Sequence, residues 1–77
     1  MNRFKLKEYT ANRLVYLYQP EGRGEWGEIL YDFSDGTVKI LKRAGENSAW
    51  HDNHAVTQVK KCAKEEHLTK NFTQAWY

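Results

Sequence analysis

One cysteine, one proline and one methionine are all that the 77 residues contain of those types. A lone Cys62 excludes an internal disulfide, so nothing covalent staples the fold, and the pattern suits a reducing compartment. A lone Pro20, with no Pro/Gly/Ser-rich tract around it, offers no linker, and residues 1–77 read as a single small domain. No apolar run approaches the roughly 18 residues that a membrane-spanning helix needs. The opening segment MNRFKLKEYTANRL also lacks the apolar core of a secretory signal. A cytoplasmic protein that makes no membrane contact is expected. Excess charge is scarce as well. Twelve Lys and Arg against ten Asp and Glu give a formal charge of +2, too little to imply a polyanionic partner.

Aromatic residues, by contrast, are plentiful: three Trp, five Tyr and three Phe. A chain of this length buries only about 60 % of the surface its unfolded form exposes. Each ring can bury about 150–250 Å², so a small core can still be dense.

The stretch Gly22-Arg-Gly-Glu-Trp-Gly27 has the spacing G-x-G-x-x-G of dinucleotide-binding loops. Phosphate binding there requires a helix to open directly after the glycines, because its free amides and dipole hold the anion. The next residues, EILYDFSDG, instead alternate with period two and end in a turn signal. The glycines therefore read as a chain reversal, and no nucleotide or other small-molecule cofactor is expected. Gly27 reads as a place where a bulky neighbour packs over the sheet, or as a bulge.

Three runs have strand character: Arg13–Tyr18, Trp26–Phe33 and Thr37–Arg43. Asp35-Gly36 is a strong signal for a two-residue hairpin loop. That loop would set Phe33 opposite Val38 and Tyr31 opposite Ile40 on one face, with Asp32 opposite Lys39, Glu28 opposite Arg43 and Leu30 opposite Leu41 on the other. From about Asp52 to Glu66 the period changes to 3.6, and Ala55, Val56, Val59, Cys62 and Ala63 form one apolar stripe. Small side chains on a helix complement large ones on a sheet, which fills space at native density. The expected fold is α+β: a three-stranded antiparallel meander with one helix packed on one face, in the order β-β-β-α. At the ends, Phe4 and Leu6 alternate with Lys5 and Lys7 as in a short edge strand guarded by lysines. Phe72–Tyr77 is expected to contribute a short C-terminal strand.

Chemistry-bearing residues are few. His51, Asp52, His54 and Cys62 are close in sequence, but a rise of about 1.5 Å per residue puts His51 and Cys62 about 16 Å apart along a helix. Zinc needs its ligand atoms about 2.0–2.3 Å away, so no metal is expected. Cys62 lies on the apolar stripe, where a thiol behaves as a small hydrophobe. Glu28 and Asp32 share a sheet face, with Arg43 and Lys39 as their expected partners. No acid, base and nucleophile converge, so no enzyme is expected. Asn71-Phe72-Thr73 matches a glycosylation sequon but has no secretory signal to give it meaning.

Two binding readings are left. A single helix covers one sheet face and leaves the other, with Trp26, Leu30 and Leu41, open to a protein partner or a second copy. The alternative is nucleic-acid binding through the helix face carrying Lys60, Lys61 and Lys64. A small intracellular, non-enzymatic protein-binding domain is the first expectation.

Overall fold

The computed structural model describes residues 2–45, 49–65 and 71–74. Five strands form one antiparallel sheet: β1 (Asn2–Tyr9), β2 (Arg13–Pro20), β3 (Gly27–Asp32), β4 (Thr37–Lys42) and β5 (Asn71–Gln74). Among the described residues one helix, α1 (Ala49–Ala63), follows β4. The spatial order is β4-β3-β2-β1-β5, so the expected meander is β2-β3-β4, with the helix on one face. The two terminal strands extend it.

The N-terminal segment departs from expectation. It is an eight-residue strand inside the sheet rather than a short guarded edge, paired with β2 on one side and β5 on the other. Its alternation has a simpler cause. Phe4 and Leu6 point into the core, while the lysines stand on the opposite sheet face. Phe4 is buried, stacks on Phe72 of β5 at 4.7 Å and meets Tyr16 edge-on at 6.1 Å. The short C-terminal strand is present and covers the edge of β1.

The hairpin β3–β4 keeps the expected faces as far as Leu41 but not the expected register, and Arg43 leaves the outer face for Asp52 on the inner one. Asp32 faces Thr37, Tyr31 faces Val38 and Ile29 faces Ile40, so the loop spans residues 33–36. Asp32 accepts from the Ser34 N–H at 2.8 Å and Asp35 accepts from the Thr37 N–H at 3.0 Å. These two caps stabilise a four-residue loop, and Gly36 still supplies its positive φ of 72°. Leu30 consequently faces Lys39 rather than Leu41, and a bulge near Leu41 separates the Ile29–Ile40 pair from Glu28–Lys42.

Ala55, Val59 and Cys62 are buried against Tyr16, Tyr18, Leu14 and Ile29, with Val56 and Ala63 at the margin. This is the expected stripe, although the helix starts three residues before Asp52 and ends at Ala63. Gly27 lies under the Tyr18 ring, where an added Cβ would come within 2.3 Å of a ring carbon. The turn before β3 has Gly22 at φ 70° and Gly24 at φ 85°, and Gly22 N–H closes onto the Gln19 carbonyl at 3.2 Å. A strand comes directly after these glycines, so the phosphate-loop geometry is not formed.

Candidate functional site

The sheet has two unlike faces. On the inner face, the Tyr18 hydroxyl donates to Asp52 Oδ1 at 2.5 Å and accepts from the Ala44 N–H at 3.3 Å. Arg43 Nε donates to Asp52 Oδ2 at 2.9 Å. Asp52 is thus a buried carboxylate in the first helical turn, held by a phenol and a half-exposed guanidinium. The expected pairing of Arg43 with Glu28 is replaced by this one. Burial, then the bond to Asp52, pushes the Tyr18 phenol above its ordinary value. Burial beside Cys62 does the same for Tyr16. The Cys62 thiol is raised too, chiefly by burial, which makes it a poor nucleophile at neutral pH.

On the outer face, charged side chains lie over a thin apolar floor. Val15 is buried there, half-buried Leu30 sits beside it, and Leu41 is 52 % exposed. These three line a groove of about 220 Å³ together with Lys7, Glu8, Arg13 and Glu28. Lys7 Nζ reaches Glu28 at 2.7 Å, and Arg13 Nε reaches Glu8 at 2.5 Å, so two ion pairs rim the groove. Glu28 therefore pairs across to β1. Asp32 binds its own loop, where the Ser34 hydroxyl and N–H hold its carboxyl below the usual range.

The structure brings Leu30 and Leu41 into one groove, as neighbours across the bulge rather than as a facing pair. Trp26 is half-buried and outside that groove, with Lys5 Nζ 4.9 Å from its ring centroid. Lys60, Lys61 and Lys64 are exposed, away from the core-facing stripe. Lys64 lies just beyond the last helical residue.

The residues considered for a metal have separate partners. His51 Nε2 meets Glu21 at 2.8 Å, His54 packs on Trp50 with ring centroids 4.2 Å apart, and Cys62 faces the sheet. Among the described residues no cluster of three metal-ligating side chains occurs. No described helix is long and apolar enough to cross a membrane. His67, Lys70 and Trp76 lie outside the described residues.

Sequence reasoning missed the Tyr18–Asp52–Arg43 network. A signal for it existed. Asp52 is three residues before Ala55 and seven before Val59, so it belongs to the apolar stripe, and a carboxylate there requires donors. The chain matches no family model, no curated protein and no solved structure.

Proposed function

We propose that this chain is a cytoplasmic, non-enzymatic binding domain that engages another protein, or a second copy of itself, through the outer face of its sheet. One observation carries the reading: the helix packs on the inner face only, and Leu41 stands exposed beside Leu30 over Val15 in an ion-paired rim. An apolar centre within a polar rim is the usual anatomy of a protein interface. The non-enzymatic part rests on the raised, buried thiol of Cys62 and on the ion pairs or loop bonds that occupy Glu8, Glu28, Asp32 and Asp52. The single thiol suits a reducing compartment.

A photo-reactive residue placed at Leu41 in intact cells tests this. It is expected to give a discrete cross-linked product, either a dimer or one partner, and Leu30→Ser is expected to remove it. A photo-reactive residue at exposed Asn53 on the helix is the control. If positions 41 and 53 give the same products, the outer-face reading fails.

A second reading is favoured by the three exposed cations Lys60, Lys61 and Lys64 at the end of the helix, which make no ion pair among the described residues. Three phosphate contacts would give a salt slope of about −2.7 on double-stranded DNA. Binding that is insensitive to the triple change to Ala removes this alternative.

A further inference from the structure

The edge strand β4 is the most exposed of strands β1 to β4. β2 is buried at five of its eight positions, whereas β4 reads exposed at all but Val38. Among the described residues β4 pairs only with β3, so one side of its backbone has no strand beside it. The phase of the ladder identifies the outward groups. Phe33 N–H donates to the Asn12 carbonyl and Thr10 N–H to the Arg13 carbonyl, which turns Tyr31 towards β2 and Leu30 towards β4. Antiparallel alternation then turns Lys39 towards β3 and aims the N–H and C=O groups of Val38 and Ile40 away from the sheet.

The side chains along this edge have a consistent chemistry. Ile40, 39 % exposed, and half-buried Val38 share the inner face, while Lys39 stands on the outer face and Lys42 comes after the bulge. The strand contains no carboxylate. Lysines on an edge guard against pairing with like strands. Indeed, the register in which Val38 and Ile40 of two copies exchange their bonds would put Lys39 directly against Lys39, which is destabilising. The same lysines attract a strand of opposite charge.

We propose that β4 accepts an extended acidic segment of another protein as a sixth strand. The segment hydrogen-bonds to Val38 and Ile40, places apolar residues beside their side chains on the inner face, and sets a carboxylate against Lys39 on the outer one. Main-chain bonds supply affinity in this mode, and the alternate side chains supply specificity. The site shares Leu41 with the outer-face reading at most at its end and does not depend on it.

The probe is a blocked heptapeptide alternating valine and glutamate, compared with its valine–lysine counterpart and with a copy N-methylated at alternate residues. With the glutamate peptide at about ten times its Kd, the Val38 and Ile40 amides are expected to exchange with solvent about tenfold more slowly. The N-methylated peptide is expected to give no protection and the lysine peptide much less. Lys39→Glu, an exposed change, is expected to reverse the preference between the two charged peptides. Equal binding of both peptides, protection centred elsewhere, or protection that grows with protein concentration in the absence of peptide would each overturn the proposal. The last result would assign the edge to a second copy. None of these outcomes bears on cross-linking from Leu41, so the two readings fail separately.

Discussion

Phe4 and Lys5 are neighbours in one strand, yet they belong to different kinds of surface. Phe4 is sealed between Phe72 and Tyr16, while Lys5 is exposed over the Trp26 ring on the other face. The inner face holds together by volume, with large rings from the sheet meeting Ala55, Val59 and Cys62 from the helix. The outer face relies on charge, with Lys7–Glu28 and Arg13–Glu8 spanning a floor built mainly from Val15 and Leu30. Stability therefore resides on the inner face, and change is tolerated on the outer one. A surface that contributes little to folding is free to be shaped by a partner.

Truncating each of the two neighbours in turn separates the contributions of the two faces. Phe4→Ala removes a buried ring and is expected to cost about 3–5 kcal/mol, enough to threaten a small domain whose total stability is about 5–15 kcal/mol. Lys5→Ala loses a cation–π contact at the surface and is expected to cost about 0.5–1 kcal/mol. Urea unfolding of the two variants measures both. Similar costs would mean that the faces are not unlike in the way described.

The same contrast explains which features were legible in the sequence. The helix stripe Ala55–Val59–Cys62 could be read because a 3.6-residue period has few rival explanations. Sheet faces could be read because alternation fixes which side a residue takes, and Leu30 and Leu41 do share the outer face. The hairpin register could not be read. A slip of two residues preserves every face, so Tyr31 loses Ile40 and gains Val38 at no cost in hydrophobic pattern. The deciding bonds were local ones from Asp32 and Asp35, which favour four loop residues over two. The role of β1 was hidden for a related reason. Lys5 and Lys7 resemble edge guards in sequence, and only the pairing of β5 with β1 shows that they decorate a face instead. Asp52 was legible in position but not in purpose, because its donors Tyr18 and Arg43 come from 34 and 9 residues away.

A smaller, pH-dependent effect belongs to the inner face. Tyr16, Tyr18 and Cys62 are all raised by burial, so the fold favours their neutral forms. A raised value gives stability that is complete below the unfolded value and is lost as pH rises past it. The unfolded values are about 8.5 for cysteine and about 10 for tyrosine, so the loss is expected to begin near pH 9 and steepen above 10. Thermal melts from pH 7 to pH 11, followed beside phenolate absorbance, check this; all five tyrosines ionising near 10 in the folded state would contradict it. Tyr18→Phe is expected to cost about 1–3 kcal/mol at neutral pH by leaving Asp52 Oδ1 without its donor, and to flatten part of the alkaline slope.

The smallest effect belongs to the outer rim. Lys7→Ala breaks the 2.7 Å pair with Glu28, whose two side chains are 52 % and 26 % exposed. Solvent screens such a pair, and its loss is expected to change stability by less than about 1 kcal/mol, fading further at high salt. The consequence for binding is larger than that for folding. With Lys7 shortened, the groove over Val15 and Leu30 widens on the β1 side and Glu28 is left unpaired in the rim. A partner seated on the outer face then meets a more acidic border, so its association rate is expected to shift while the melting temperature of the free domain stays nearly constant. A large drop in melting temperature would instead make the Lys7–Glu28 pair part of the framework, and the division between a load-carrying inner face and an adaptable outer one would have to be redrawn.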